Sequence, residues 1–196
     1  LVQFGTINNA STSFAGYENF TNLTPVASFA AGSANNITIT GNGNTYAGDV
    51  VRVWIDYNRN GNFTDPGELA YQSPQSAGPY NGVITFPVNA TTGDTRMRIR
   101  MYDAIFGNGT TGPCGNNTYG QVEDYTINIT PCIPGVIGTQ PASVTSYCSG
   151  NASFTVATTG TALTYQWQER LNATSPWIIL SNGGLYAGVN TPTLTL

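Results

Sequence analysis

Side-chain oxygens recur at every second position in the run Asp56-Tyr-Asn-Arg-Asn-Gly-Asn-Phe-Thr-Asp65, and Pro66, Gly67 and Glu68 follow directly. Oxygens at the first, third and fifth positions, a Gly at the sixth and a carboxylate near the end suit a hard cation such as Ca2+, which a tight turn encircles with oxygen ligands. Asp56, Asn58 and Asn60 are the first donors, the carbonyl of Asn62 supplies the seventh-position oxygen, and Asp65 or Glu68 closes the shell. Gly61 permits the sharp turn of the backbone. In the twelve-residue calcium loop a bidentate Glu stands at position twelve; here Gly67 holds that place and Glu68 comes one residue later. Asn at two of the early ligand positions lowers the charge of the site, so the expected affinity is of the weak extracellular kind, about 0.1 to 1 mM. The chemistry is that of a structural clip. The competing reading is a hairpin rich in Asn and Gly whose polar side chains bond their own backbone as Asx turns.

A strand must deliver this loop. Val50-Val-Arg-Val-Trp-Ile55 precedes it directly. Similar short apolar or alternating runs recur at 1–7, 25–30, 37–40, 69–72, 82–88, 95–102 and 122–130, separated by Gly, Asn, Pro and Asp. That spacing predicts an all-β chain, an antiparallel β-sandwich or barrel. Thr95-Arg-Met-Arg-Ile-Arg-Met-Tyr102 has period two, which sends Met97, Ile99 and Met101 to the core and Arg96, Arg98 and Arg100 to the opposite face. The expectation for that arginine face is solvation with cross-strand partners, and a ligand-gripping role is the alternative. Glu123 and Asp124, with Asp103, would complete an ion site, pair with the arginines or solvate a strand end; pairing with arginine is the first choice. Glu18, Asp49 and Asp94 have no reading beyond surface solubility.

Composition narrows the function. The chain has 196 residues, enough for a proper core in one large or two modest domains. It contains no Lys and no His, six Arg against ten acidic residues, and only 8% charged residues, while Thr, Gly and Asn abound. Without His, His-dependent triads and His-based zinc sites are excluded within the chain. Asp56 and Asp65 share one Gly-rich turn with amide ligands, which suits a metal better than a glycosidase cleft, so no enzyme is expected. A net charge of -4 with no basic cluster gives no footprint for nucleic acid. No run reaches the roughly 18 apolar residues of a membrane span. The chain opens on Leu1-Val-Gln-Phe4 and reads as a processed or partial piece. Cys114, Cys132 and Cys148 fit neither a C-x-x-C nor a zinc cluster, and their pairing stays open. Eleven Asn-x-Ser/Thr sequons follow mostly from the Asn and Thr content. Tyr57, Tyr71, Tyr80, Tyr102 and Tyr119 lie in or near loops, where aromatics cap a core edge or, exposed, stack on sugars.

The stretch 131–141 carries three prolines and two glycines and reads as a connection, which gives units 1–131 and 132–196. Beyond it, Ala152-Ser-Phe-Thr-Val-Ala-Thr158 and Leu163-Thr-Tyr-Gln-Trp-Gln168 form two strand patterns. Cys148 ahead of them and Trp167 within them are the opening half of an immunoglobulin-like sandwich.

Val53-Trp-Ile-Asp-Tyr-Asn-Arg-Asn-Gly-Asn-Phe63, Gly67-Glu68, Arg96-Met-Arg-Ile-Arg100, Pro113-Cys-Gly115 and Tyr119-Gly-Gln-Val-Glu-Asp-Tyr125 together resemble a GEVED domain, with Gln121 where the name motif has Glu. The resemblance covers roughly residues 1–130. It implies a β-rich, jelly-roll-like sandwich within a large secreted protein of Bacteroidetes-type bacteria. The second unit is similar to the immunoglobulin-like repeats that follow such modules, through Thr139-Gln-Pro141, Cys148-Ser-Gly150 and Tyr165-Gln-Trp167. The likeness implies a cysteine upstream of Leu1 as a partner for Cys114, and for Cys148 a mate on a strand past Leu196 or, as the alternative, on strands supplied by another chain through edge pairing. It further implies a non-catalytic, calcium-stabilised adhesin module at the cell surface, exported by type IX secretion. Its partners would be a surface glycan or protein, or neighbouring copies of itself. The rivals are a carbohydrate-binding accessory domain of a secreted enzyme and a subunit of an extracellular filament.

Overall fold

The computed structural model describes residues 1–11, 16–41, 43, 45–107, 109–145 and 151–196. No helix occurs among them; the chain divides into two compact units, Leu1–Cys132 and Ile133–Leu196.

Among its described residues the first unit holds ten strands: β1 (Val2–Phe4), β2 (Ile7–Asn9), β3 (Tyr17–Phe20), β4 (Ala27–Ala30), β5 (Ala34–Ile39), β6 (Asp49–Ile55), β7 (Leu69–Gln72), β8 (Tyr80–Thr85), β9 (Gly93–Asp103) and β10 (Gly120–Thr130). They form a four-stranded sheet in the order β2-β1-β5-β8 and a six-stranded sheet in the order β3-β10-β9-β6-β7, with β4 also on β10. All pairings are antiparallel except those of β3 and β4, which lie parallel to successive halves of the same edge of β10. Phe4, Ile37, Ile39, Tyr80 and Ile84 from the smaller sheet share one core with Val51, Val53, Ile55, Met97, Ile99, Tyr125 and Ile127 from the larger. The two sheets therefore form a sandwich. Side chains of period two from both inner faces exclude water between them. Phe4, Phe29 and Phe86 stack at its centre, with Phe4–Phe29 centroids 4.2 Å apart and Phe29–Phe86 centroids 5.0 Å apart.

Apolar patterning placed most of these strands, with two differences. The run 1–7 is a tight hairpin of two strands, because Gly5 adopts φ 58°, open to Gly at little cost, and folds Ile7 back opposite Phe4. Tyr17–Phe20 is polar enough to escape notice, yet forms a strand through backbone pairing with β10.

In the second unit the strands are β11 (Val136–Thr139), β12 (Ser153–Thr155), β13 (Ala157–Thr159), β14 (Gln168–Glu169), β15 (Ile178–Ile179) and β16 (Thr193–Thr195). They pair as β11-β13, β12-β16 and β14-β15, around Leu180, Val189 and Leu194 with Phe154, Trp167 and Tyr186 against them. The expected strand 163–168 is a strand only at its end. Tyr165 and Trp167 keep the inward alternation; Trp167 donates to Val189 O and accepts from Leu180 N, and Gln168 enters the ladder opposite Ile179. The run 152–158 is likewise divided: β12 pairs with β16 and β13 with β11. The reading attached to Cys148 falls outside the described residues.

Candidate metal loop and arginine face

Strand β6 ends at Ile55, and its last bond to the neighbouring chain, Ile55 N to Glu68 O at 2.9 Å, closes the base of the loop 56–68. Buried Asp56 organises the turn: Oδ1 accepts Asn60 N at 3.1 Å and Oδ2 accepts Gly61 N at 2.9 Å. Arg59 (φ 60°) and Gly61 (φ 85°) both take the left-handed conformation that tightens the turn. Asn58 Oδ1 accepts Asn60 N at 3.0 Å and Asn60 Oδ1 accepts Asn62 N at 2.8 Å, two Asx turns in series. The Nδ2 groups of Asn58 and Asn60 converge on Asp65 Oδ2, at 2.8 and 2.6 Å. These bonds hold the Asp65 carboxyl below its usual range.

Asp56, Asn58, Asn60 and Asp65 thus belong to one hydrogen-bonded cluster, and exposed Asn62 joins it through its backbone N–H. Glu68 lies below it, 2% exposed. Its Oε2 accepts Asp65 N at 3.3 Å, whereas Oε1 has no hydrogen-bond partner. The hydroxyl of Tyr57 is also buried and unpartnered. Burial first, and then the charges of Asp56 and Asp65, push the Glu68 carboxyl up from 4.5 against the pull of the Asp65 and Asn58 N–H groups. Among the described residues no three His, Cys, Asp or Glu side chains converge as a metal centre; the loop interleaves its acids with amides.

A carboxyl whose folded pKa is raised contributes stability that is present below the unfolded value and lost as pH rises through the folded one. In chelator, stability should therefore fall as pH rises upward from about 4.5, and Glu68→Gln should flatten that decline in urea titrations. Asp65 acts in the opposite sense, but as a solvent-screened group its effect is small.

The arginine face is not the solvated surface that the alternation suggests. Arg96 is exposed, but Arg98 is largely covered and Arg100 is buried. From Ile99 onward β9 is covered on both faces, because the segment 109–119 lies over its outer side. The arginines hold that segment by its carbonyls. Arg52 Nη1 donates to Thr111 O, Arg98 Nη1 to Pro113 O at 3.0 Å, and Arg100 Nη1 to Gly112 O at 2.9 Å and Cys114 O at 3.2 Å. Phe63, from the loop 56–68, sits under the Arg98 guanidinium at 5.1 Å. Strand periodicity states which face a side chain takes and is silent on what lies above it.

Of the three acids considered beside the loop, only Asp124 pairs with arginine, accepting from Arg98 Nε and Nη2 at 2.7 Å each. Glu123 stands opposite Ile99, on the core side of the sheet, and accepts from Ser11 Oγ and from Tyr125 OH at 2.6 Å. Asp103 Oδ1 accepts the N–H groups of Ile105 and Phe106. Asp49, which the sequence left on the surface, is buried opposite Asp103, and burial with that neighbour pushes its carboxyl up. Its inward place was signalled by its parity with Val51 and Val53. Glu18 accepts from Gln121 Nε2 at 2.7 Å and Asp94 from Asn128 Nδ2 at 2.6 Å. Tyr57, Tyr80 and Tyr102 are buried, while Tyr119 is exposed.

Residues 50–128 match the family model of the GEVED domain. The matched stretch runs from β6 through β10 and includes both the loop and the arginine face. No curated protein matches the chain. Among solved structures it is similar to Clostridium thermocellum CbhA fibronectin(III)-like modules, with 15% identity, 73% of this chain and 64% of that one covered, and a TM-score of 0.29. It is also similar to a chimeric titin Z1Z2, with 12% identity, 87% and 75% covered and a TM-score of 0.39. This chain spans less than two thirds of the CbhA structure. No helix of the described residues is long and apolar enough to cross a membrane.

Proposed function

We propose that residues 1–131 form a non-catalytic, calcium-braced GEVED-like module of a large secreted or cell-surface bacterial protein that serves adhesion, and that 132–196 is part of an immunoglobulin-like domain. The observation that carries the calcium reading is the Glu68 carboxylate, buried with Oε1 unpartnered beside two further carboxylates. An unmet anion in such a place costs several kcal/mol unless a cation or a proton joins it. A divalent ion held by Asp56, Asn58, Asn60, Asp65 and Glu68, with the Asn62 carbonyl, would satisfy it with oxygen donors alone. The amides of Asn58 and Asn60 would then turn their oxygens to the ion in place of their Nδ2 groups. Bridging β6 to β7, the ion would stiffen one end of the sandwich, which suits a load-bearing extracellular part.

Millimolar calcium at ten to a hundred times the dissociation constant should add about 1.4 to 2.7 kcal/mol to the stability of the chain, read from urea unfolding against the same protein in chelator. Glu68→Gln should remove most of that gain. Superimposable curves with and without calcium would end the calcium reading.

A second reading, a carbohydrate-binding accessory domain, is favoured by one feature. Tyr46 (64% exposed), Phe106 (73%) and Tyr119 (58%) surround a cavity of about 850 Å3 floored by Asp49, Asp103 and Gln121. Exposed rings beside polar groups suit sugar stacking. A glycan array that stays blank would discard it.

A further inference from the structure

Asp49 and Asp103 stand directly opposite each other where β6 begins and β9 ends, and both are buried. Like charges in that cross-strand position repel, which calls for a cation beside them. Nothing in the fold supplies one: these residues include no Lys or His, and Arg98–Asp124 is the only ion pair among the described residues. Each carboxylate is held by one oxygen. Asp49 Oδ2 accepts Tyr46 N at 2.8 Å, and Asp103 Oδ1 accepts Ile105 N and Phe106 N at 2.8 and 2.9 Å. Asp49 Oδ1 and Asp103 Oδ2 accept no hydrogen bond among the described residues, and neither is sealed from solvent as Glu68 Oε1 is. Burial, against the pull of the Tyr46 N–H, and then the Asp103 charge push the Asp49 carboxyl up, as an acid beside an unanswered like charge requires.

Both acids line the cavity of about 850 Å3 whose walls carry the exposed side chains of Tyr46, Ile105, Phe106 and Tyr119. Gly48 keeps its floor open, since a Cβ there would stand 2.9 Å from Asp103 Oδ1 and from Ile105 Cδ1. Side chains directly opposite on paired strands lie close enough for one small cation to serve both carboxylates. An ammonium group is about the size of a water molecule, so it reaches a carboxylate oxygen that water reaches and brings N–H donors with its charge. A guanidinium is broader and planar, and a neutral sugar leaves the charge unanswered. The rings and Ile105 suit an alkyl stem, with π-faces beside the cation at its tip. We propose that this cavity receives a lysine side chain of a partner protein, whose ammonium donates to Asp49 Oδ1 and Asp103 Oδ2 while its methylene stem lies along the aromatic walls. These 196 residues contain no Lys, so a second copy of them is not the donor. Lysine docking here does not depend on calcium at the loop 56–68, and it excludes the neutral sugar considered for the same cavity.

The test is a titration of the isotope-labelled full chain with Nα-acetyl-L-lysine N-methylamide, followed by NMR at the backbone amides of Tyr46, Ile105 and Phe106, which donate to the two carboxylates. Those signals should shift saturably with a dissociation constant of about 1 mM. The norleucine analogue, which has the stem without the ammonium, should bind about tenfold more weakly, and D-glucose should leave the signals in place. Phe106→Ala, an exposed change that spares the fold, should weaken lysine binding about threefold. Asp49→Asn, which keeps an oxygen for the Tyr46 N–H, should weaken it about tenfold; if that variant fails to fold, the Phe106 variant and the analogues still decide. An absent or linear response to the lysine compound would overturn the proposal. An equal response to the norleucine analogue would overturn the role of the acids, and an equal response to glucose would return the cavity to the sugar reading. The same shifts with calcium chloride would assign the acids to a metal ion, and tighter binding of cadaverine would replace the partner protein with a free diamine.

Discussion

Alanine in place of Asp124 should lower the stability of the first unit by about 3 to 5 kcal/mol, the usual cost of removing one partner from a buried ion pair. Asp124 is 1% exposed and holds Arg98 through two 2.7 Å bonds while also accepting the Tyr17 hydroxyl at 3.1 Å. Arg52 and Arg100 face each other across β6 and β9, and Arg98 is two residues away on the same face. Without Asp124 the guanidinium groups of Arg52, Arg98 and Arg100 would lie together with none of them paired to a carboxylate. They also carry the carbonyls of 111–114, so the loss should appear as faster amide exchange at Thr110, whose N–H is bonded to Asn116 O at 3.2 Å. The double variant Arg98→Met, Asp124→Leu removes both charges and should cost less than the single change. Urea unfolding gives all three values. A loss under about 1 kcal/mol for Asp124→Ala would show that the pair behaves as an exposed one.

Phe86→Ala is expected to cost a similar 3 to 5 kcal/mol, by lost transfer free energy and a cavity that rigid neighbours cannot refill. Phe86 is buried just past β8, and its backbone joins Ser33 and Gly32 at 2.9 and 3.0 Å. Its ring stacks on Phe29 and meets Tyr57 edge-on at 5.7 Å. Tyr57 follows Asp56 directly, so this aromatic stack sets the position at which the loop 56–68 leaves the sheet. The variant should therefore lose part of the calcium-dependent gain as well as overall stability. Loss of stability with an unchanged calcium increment would uncouple the loop from the core.

Much of the first unit was legible because its inner faces are apolar with period two. β9 read directly as Met97, Ile99 and Met101, of which the first two lie in the core and the third packs against it, and Val50–Ile55 read as the strand that became β6. The loop was legible by another route, since Asp, Asn, Asn and Gly at fixed offsets dictate a turn whose N–H groups bond side-chain oxygens, as Asp56, Asn58 and Asn60 do. The same offsets do not state whether Asn58 and Asn60 turn oxygen or nitrogen inward, because that depends on what else occupies the turn. β3 was missed because Tyr17–Phe20 has no apolar period and owes its strand to the edge of β10.

The chain by itself determined an all-β architecture, the inward set of β9 and the absence of imidazole and of lysine ammonium chemistry, since these follow from local periodicity and residue inventory. Tertiary structure alone decided the fate of the charges. Glu123 lies in the core and Asp124 outside it because one residue along a strand changes the face. Arg100 is buried because a segment more than ten residues distant in sequence folds over β9 and brings its carbonyls to the guanidinium. Burial of a charge depends on what the whole chain places above it, and no local pattern encodes that.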